Sequence, residues 1–372
     1  MTLISSLRRL AQNALLLGLC LAPFFSAPTA RAESTLNVAN WTDYIDQKTL
    51  EEFTKETGIK VIYDTYDSNE ILETRLLAGG TGYDIVVPSA TFLQRQIKAG
   101  VFQKLNKALL PNLKGVDPKI AARLAVYDPG NEFAVPYMWF TTGIAYNSAK
   151  VKERLGDKPL DSWDIVFKPE NMKKLADCGV YFLDSPEDIL AIAAKYSGLS
   201  PELRDAASIH KAAEVVSRVR RYVRKFHSSE YINALANGDI CVAIGWAGDS
   251  FQARNRAREA GAGVDIGYVI PREGTLMSID ALAIPKDAQH VTEAHKFIDF
   301  LLRPEIAARN TGVTNFANPV SSAKALLPTA IAENRSIYPD EAMAQKLFTV
   351  STKEADIQKI ITREWTRVKL GR

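Results

Sequence analysis

The stretch from Phe133 to Asn147, FAVPYMWFTTGIAYN, constrains the fold more than any other segment. It is apolar, aromatic and rich in β-branched residues, and Pro136 and Gly143 interrupt it. This pattern is typical of a buried extended segment with a bend. We interpret it as a strand that passes from one lobe of the protein to another. An interior strand of a single large domain is the alternative, because a short apolar run does not reveal its neighbours.

The chain has 372 residues, more than one hydrophobic core usually supports, so two lobes are expected. Its N-terminal segment differs from the rest. Two arginines precede an apolar run at 10–25, and an A-x-A cleavage motif ends at Ala32. We therefore predict a signal peptide at 1–32, cleaved after Ala32. The bulky Leu19 before Cys20 argues against lipoprotein processing, so a freely soluble exported product is expected.

Charge and cysteine content narrow the possible partners. The leader holds three of the 46 basic residues and none of the 43 acidic ones, so the mature chain has a net charge of about zero. A neutral exported protein lacks the electrostatic footprint of a nucleic-acid or anionic-lipid binder, and neither partner is expected. Cys178 and Cys241 remain in an oxidising compartment. A disulfide between them is favoured over two unpaired thiols.

The start of the mature chain alternates strand and helix patterns. The predicted strands are Thr35–Val38, Ile59–Tyr63 and Asp84–Val87. Asp67 and Glu70 form a possible capping pair for the second helix. The alternation predicts an α/β fold with a parallel sheet, and ligands of such sheets bind beyond the carboxyl ends of the strands. Asn40–Tyr44 and Pro88–Thr91 follow strand ends and are therefore expected to line a cleft.

The second half of the chain also contains predicted strands that are followed by candidate site residues. Gly179–Leu183 and Ile240–Ile244 are predicted strands, and the latter delivers an aromatic and an acidic residue to a loop. A return strand carries Asp280, and Thr311–Pro319 is predicted to cross back between lobes. The predicted organisation is a signal peptide at 1–32, a first lobe at 33–138 and 276–312, and a second lobe at 139–275 and 313–372.

The residues near the strand ends are acidic and aromatic. They are Trp41, Asp43, Tyr44, Ser89, Glu187 or Asp188, Trp246, Asp249, Asp280 and Phe316. Aromatic faces attract ammonium groups by roughly 0.5 to 2 kcal/mol each, and carboxylates bind them through charge-assisted hydrogen bonds. The set predicts a slender cation such as a diamine or polyamine. The competing interpretation is that each tryptophan belongs to the core and each aspartate to a turn.

Catalytic and cofactor motifs do not occur in the sequence. The four histidines show no HExxH spacing, and GxSxG, GxGxxG, P-loop and DxDxDG patterns are missing. We therefore expect no enzyme activity, no cofactor and no metal. Asp249 and Asp280 could in principle serve glycoside hydrolysis, so a secreted carboxylate-dependent hydrolase is an alternative.

Several stretches carry a family resemblance. They are NWTDYI, ETGIKVIYD, YDIVVPSATFLQRQ, VPYMWFTTGIAYN, HSSEYINALANGDICVAIGWAGD and YPDEAMAQKLFT. On these, the chain resembles the periplasmic substrate-binding proteins of polyamine ABC transporters, and most of all their putrescine-binding branch. The resemblance runs from about Leu36 to the C-terminus. It implies a two-lobe periplasmic binding protein fold with mixed sheets, flanking helices and a ligand cleft between the lobes. It also implies a periplasmic location and a membrane ABC permease as partner; nothing indicates an oligomer, so a monomer is expected.

The resemblance also implies roles for individual residues. These are an aromatic box of Trp41, Tyr44 and Trp246, amine-binding carboxylates at Asp43, Asp249 and Asp280, polar support from Thr42 and Ser89, and a Cys178–Cys241 disulfide. Three positions depart from the pattern. Asp188 replaces a glutamate for the distal amine, Ser278 replaces an aromatic residue, and Phe316 replaces a tyrosine. The distal half is thus expected to be wider, and another small organic cation or an amino-acid derivative is the alternative ligand.

Overall fold

A computed structural model describes residues 34–371. The predicted signal peptide at 1–32 lies outside the described residues. The strands are β1 (Ser34–Trp41), β2 (Ile59–Tyr66), β3 (Ile85–Val86), β4 (Ala134–Asn147), β5 (Val180–Phe182), β6 (Lys225–Phe226), β7 (Val242–Trp246), β8 (Ile266–Val269), β9 (Thr275–Ala283) and β10 (Leu347–Phe348).

Helices follow most of the strands. They are α1 (Gln47–Thr57), α2 (Asn69–Ala78), α3 (Ala90–Lys98), α4 (Pro118–Leu124), α5 (Ser148–Leu155), α6 (Asp164–Phe167), α7 (Pro169–Leu175), α8 (Pro186–Tyr196), α9 (Ala206–Val219), α10 (Tyr231–Ala236), α11 (Ala247–Glu259), α12 (Val291–Leu301), α13 (Pro304–Thr314), α14 (Thr329–Ala332), α15 (Glu341–Ala344) and α16 (Ala355–Leu370). The alternation confirms the predicted α/β class. Within residues 34–371, no helix is long and apolar enough to cross a membrane.

The strands are connected in the order β2-β1-β3-β9-β4-β7-β5-β6, with β10 beside β9 and β8 beside β4. At one end β1 and β3 are parallel, and at the other end β5 is parallel to both β6 and β7. In the middle, β9 and β4 run antiparallel to each other and to their outer neighbours β3 and β7. Each half is therefore a mixed sheet with flanking helices, as predicted.

Strand β4 connects the two halves, in agreement with the interpretation of residues 133–147. Its first part pairs with β9, beginning with Ala134 opposite Ala283, and its last part pairs with β7 and β8. The register of the β4–β9 pairing shifts between Pro136 and Met138. Pro136 has no backbone N–H to donate to the neighbouring strand. One continuous strand thus links both sheets.

Two large hydrophobic clusters fill the two halves. The first includes the fully buried Phe53 and Phe297 and packs around β1, β3 and α12. The second includes the fully buried Trp163 and Phe182 and packs around β5, β7 and α9. Two separate cores on one connected set of strands constitute the two-lobe fold.

The third predicted crossing, Thr311–Pro319, is extended only in part. Helix α13 continues to Thr314, and Asn315 ends it in the left-handed conformation with a φ of 58°. Asparagine tolerates this conformation, and so it terminates helices as glycine does. Beyond it, Ala317 forms a bridge with Trp139 of β4. The first residues of the segment thus belong to a helix, and the crossing between lobes stays a prediction.

The lobe boundaries given above remain a prediction. Residues 313–372 were assigned to the second lobe, yet Phe316 and Val320 pack in the first hydrophobic cluster. The C-terminal residues Trp365 and Val368, by contrast, pack in the second cluster. The chain therefore contributes to both cores after α13.

Two local features bear on the site described below. Cys178 and Cys241 form a disulfide with their Cα atoms 5.4 Å apart, which confirms the predicted pair. Helix α2 is capped by Ser68, whose hydroxyl accepts a hydrogen bond from the backbone N–H of Ile71 at 3.3 Å. The predicted cap, Asp67, is one residue too early, so its carboxylate does not cap the helix.

Candidate ligand-binding site

A cavity with about 430 Å³ of unfilled space lies between the two halves. Its lining residues are Trp41, Thr42, Tyr44, Tyr66, Asp67, Ser89, Phe140, Ser228, Ser229, Ile232, Trp246, Asp249, Asp280 and Phe316. Trp41, Tyr66 and Trp246 are the last residues of β1, β2 and β7, so the cavity lies beyond strand ends, as expected for such sheets.

Aromatic rings form a continuous wall of this cavity. The ring centroid of Trp41 lies 4.9 Å from that of Tyr66 and 5.9 Å from that of Trp246. Phe140 continues the series, with centroid distances of 5.9 Å to Trp246 and 5.2 Å to Phe316. Most of these contacts are edge-to-face, the arrangement that aromatic pairs prefer. The faces that remain free are suited to methylene groups and ammonium ions.

Phe316 is held from two sides. Its ring lies 4.6 Å from that of Tyr44, and on the other side it packs against Gly248 of α11. A Cβ atom at Gly248 would approach the Phe316 ring to 2.1 Å, so glycine is required unless the ring moves. Phe316 is buried and presents its apolar face without a hydroxyl group.

Asp280 is one of two buried carboxylates on the cavity wall. It lies on β9, opposite Met138 of the crossing strand, and its Oδ1 accepts a hydrogen bond from the hydroxyl of Ser89 at 2.6 Å. Burial raises the pKa of Asp280 to about 7, although the Ser89 hydrogen bond acts in the opposite direction. The carboxylate is poorly compensated when it is ionised.

Asp249 is the second buried carboxylate. It lies in the first turn of α11, and its Oδ2 accepts a hydrogen bond from the hydroxyl of Tyr231 at 2.8 Å. Burial raises the pKa of Asp249 to about 7, and the negative charges of Asp43 and Asp280 add to the rise. The same Tyr231 hydroxyl accepts a hydrogen bond from the backbone N–H of Trp246 and so fixes the end of β7.

The charge balance of the cavity is one-sided. Within the described part of the chain, no lysine, arginine or histidine lines it, whereas Asp249, Asp280 and Asp67 do. A cationic ligand would supply the missing positive charge and would bind through charge-assisted hydrogen bonds. No group of histidine, cysteine and acidic residues among the described residues has a geometry that could hold a metal ion.

Asp188 lies outside this lining although it was predicted to bind the distal amine. It is buried in the first turn of α8, and its carboxylate accepts hydrogen bonds from the hydroxyls of Thr142 and Ser185. The indole N–H of Trp246 is a third, longer donor at 3.4 Å. The shorter aspartate side chain is thus satisfied by the protein itself.

Asp43 is also outside the lining. Its side chain is 40% exposed, and its Oδ2 lies 2.9 Å from Nη2 of Arg256 on α11. Asp43 follows β1 and Arg256 belongs to the helix after β7, so this ion pair bridges the rim between the two halves. The neighbouring Thr42 is exposed and does line the cavity.

Eight of the ten predicted ligand residues therefore border one cavity. They are Trp41, Thr42, Tyr44, Ser89, Trp246, Asp249, Asp280 and Phe316. Ser278 pairs with Phe140 across β9 and β4 and is absent from the lining. No ring stands at this position to extend the wall.

Sequence analysis missed six lining residues. They are Tyr66, Asp67, Phe140, Ser228, Ser229 and Ile232. Tyr66 and Asp67 follow the same strand-end rule that identified Trp41, but β2 was predicted to end three residues early, at Tyr63. Phe140 was considered only as part of the crossing strand. No periodicity or motif distinguishes Ser228.

Comparison with known proteins gives a consistent answer. The model of the bacterial extracellular solute-binding protein family matches residues 48–337. The putrescine-binding periplasmic protein SpuD of Pseudomonas aeruginosa is 51% identical over 359 residues, 96% of this chain and 98% of that protein. The putrescine-binding periplasmic protein PotF of Escherichia coli is 49% identical over 345 residues, 92% of this chain and 93% of that protein.

A solved structure agrees in fold. The spermidine/putrescine ABC transporter substrate-binding protein PotD of Streptococcus pneumoniae has a TM-score of 0.74 and 26% identity, and the match covers 91% of this chain and 99% of that one. The family model spans most of the chain and the relatives align with nearly all of it. The protein therefore belongs to the family of bacterial extracellular solute-binding proteins, as the resemblance predicted.

Proposed function

We propose that this protein is a periplasmic receptor that binds a polyamine, such as putrescine or spermidine, and delivers it to the permease of an ABC importer. One observation carries the proposal. Asp249 and Asp280 are buried on the wall of an aromatic cavity that has no basic residue in its described lining. Two carboxylates without a cation favour a ligand that brings positive charge.

The aromatic wall supports an amine with an apolar middle. The rings of Trp41, Trp246 and Phe316 offer faces to methylene groups, and the carboxylates offer acceptors to an ammonium group. A divalent metal ion prefers oxygen, nitrogen or sulfur ligands and would not be recognised by these aromatic faces. Relatives with 51% and 49% identity are named as putrescine-binding proteins, which favours the same chemistry here.

We propose that binding closes the two lobes about β4, with the hinge at Met138–Thr142. Trp41 and Trp246 end strands of different halves, and their rings meet edge to face in the cavity wall with centroids 5.9 Å apart. A ligand that contacts both halves stabilises the closed arrangement, and the ordering of the lobes subtracts from the affinity.

Location and partners follow from the family. The relatives are periplasmic binding proteins, and none is named as an enzyme. For this chain we propose cleavage of the leader after Ala32, action as a monomer, no catalytic step and no nucleic-acid partner. The proposed partner is a membrane permease.

Isothermal titration calorimetry with putrescine, spermidine, cadaverine and agmatine tests the ligand class. At least one of these amines should bind with a stoichiometry of one, because the two carboxylates need a cation. The matched control is 1,4-butanediol, which has the length of putrescine without its charge and should produce no binding heat. If none of the four amines produces binding heat, the proposed ligand class is wrong.

A second candidate ligand is another small organic cation or an amino-acid derivative. Two positions favour this second candidate. Ser278 offers no aromatic ring, and the carboxylate of Asp188 already accepts hydrogen bonds from protein hydroxyls. Mass spectrometry of ligand that co-purifies from the native host distinguishes the candidates. A polyamine mass supports the first, and another cation of similar size supports the second.

A further inference from the structure

We infer that Asp67 and Ser228 form an additional ammonium subsite that favours ligands with a third amine. The inference rests on the proposed function, since it extends the same cleft. Asp67 directly follows β2 in one half, and Ser228 precedes α10 in the other. Both residues line the inner cavity described above.

The same two residues also line a neighbouring outer cavity. This outer cavity has about 940 Å³ of unfilled space, and Glu70 and Asp184 contribute further acidic groups to its wall. Asp67 and Ser228 are therefore placed where the inner cavity meets the outer one. A ligand that fills the inner cavity and continues outward must pass between them.

Both polar groups are without a protein partner. The Ser228 side chain is only 8% exposed, and its hydroxyl makes no hydrogen bond to any residue within 34–371. The Asp67 carboxylate, half-buried, makes neither an ion pair nor a hydrogen bond in that same part of the chain. An unpaired hydroxyl and an unpaired carboxylate on the wall of the same cavity can together accept hydrogen bonds from an ammonium group.

The charged groups nearest to this position already have partners, including His227, whose Nε2 lies 3.2 Å from Oε1 of Glu230. In the outer cavity, Lys369 is held by Asp184, with its Nζ 2.8 Å from Oδ2. Glu70 accepts a hydrogen bond from Ser68 at 2.8 Å. An ammonium group at the subsite would donate one hydrogen bond to the Asp67 carboxylate and another to the Ser228 hydroxyl. Asp249 and Asp280 then hold the inner ammonium group.

The length of the ligand decides whether the subsite is used. A diamine such as putrescine can satisfy the inner carboxylates alone, whereas a triamine such as spermidine has a further charged nitrogen to place. If Asp67 were only a solvated residue before helix α2, it would contribute equally to the affinity for the two amines. Discrimination between diamine and triamine is therefore the property to measure.

The experiment is calorimetric titration of putrescine and spermidine into the wild-type protein and into Asp67→Asn, Ser228→Ala and Asp64→Asn. Asp64 is the matched control, because it is an exposed acid on β2, the strand that Asp67 follows, with no ion pair or hydrogen bond in the described chain. We expect Asp67→Asn to weaken spermidine binding at least tenfold more than putrescine binding. Ser228→Ala should produce the same bias at about threefold, and Asp64→Asn should produce none.

The outcomes separate this inference from the proposed function. If wild-type protein binds spermidine and both Asp67→Asn and Ser228→Ala weaken the two amines equally or not at all, the subsite is wrong while polyamine binding stands. A wild-type protein that binds putrescine but not spermidine also overturns the subsite. If wild-type protein binds neither amine, the subsite is overturned, and the proposed ligand class is overturned with it when cadaverine and agmatine also produce no binding heat. Thermal melting of each variant checks folding, and Ser228→Ala decides the question if Asp67→Asn does not fold.

Discussion

The carboxylates near the cleft fall into two groups that differ in how the protein satisfies them. Asp249 and Asp280 line the cavity. Asp280 accepts one hydrogen bond, from Ser89, and Asp249 accepts a short one from Tyr231 and a longer one from Gln252 at 3.4 Å. Asp188 accepts from two hydroxyls and an indole, and Asp43 is paired with Arg256. All were predicted as amine ligands on the same grounds.

The comparison shows that position after a strand end does not by itself make a ligand-binding carboxylate. The decisive property is the number of protein donors that reach it, because a carboxylate with its acceptor sites already filled gains little from an ammonium ion. On this basis we propose that Asp249 and Asp280 are the binding groups, that Asp188 orients Thr142 and Trp246, and that Asp43 pairs with Arg256 at the rim.

The largest effect is expected for the inner pair. Asp280→Asn and Asp249→Asn should each weaken putrescine binding by roughly 100-fold, because an ammonium ion in a buried site loses a charged partner worth about 3 kcal/mol. Calorimetry at pH 8 measures the loss. Unchanged affinity in both variants would refute the assignment of these residues.

Asp280→Asn should also stabilise the protein against unfolding when no ligand is added. The folded-state pKa of Asp280, about 7, lies above its ordinary value, so its contribution to stability is present at low pH and is lost as the pH rises through 7. Asparagine cannot ionise, and Asp280→Asn should therefore raise the free energy of unfolding at pH 8 by about 1 to 3 kcal/mol. Chemical denaturation at pH 8 and pH 5 checks this, with a smaller gain expected at pH 5. A variant less stable than wild type at pH 8 would contradict the account.

Asp188→Asn should have a smaller effect on binding. The hydroxyls of Thr142 and Ser185 can donate to an asparagine oxygen or accept from its amide, so the position of Trp246 is preserved. We expect putrescine affinity to fall by less than about threefold, against roughly 100-fold for Asp280→Asn. Losses of equal size in the two variants would show that Asp188 binds the amine directly.

The rim ion pair should have the smallest effect. An exposed pair contributes about 0 to 1 kcal/mol and is screened by salt, so Asp43→Asn should weaken binding by at most about fivefold at low salt. A double-mutant cycle with Arg256→Gln measures the coupling, and the double variant should lose no more than either single one. If the two losses of affinity were additive, Asp43 would act through a contact with the ligand and not through its pair with Arg256.

The sequence predicted those parts of the fold and site that local pattern determines. The crossing strand and the strand that carries Asp280 follow from apolar runs and turn residues. The predicted loop with Trp246 and Asp249 was wrong, because Trp246 ends β7 and Asp249 lies in the first turn of α11. Tyr66 was missed because β2 runs three residues beyond its apolar pattern. Of the two hydroxyl donors of Asp188, Ser185 is only three residues away, but Thr142 is 46 residues away and could not be predicted from local pattern.

Proton release on binding tests the central claim most directly. Asp249 and Asp280, both with a pKa of about 7 in the empty protein, must ionise to hold an ammonium ion. Titration of putrescine at pH 6 in buffers of different ionisation enthalpy should therefore show the release of about one to two protons, and almost none at pH 8.5. Tight binding at pH 6 without proton release would contradict the assignment of these two aspartates as the carboxylates that hold the ligand.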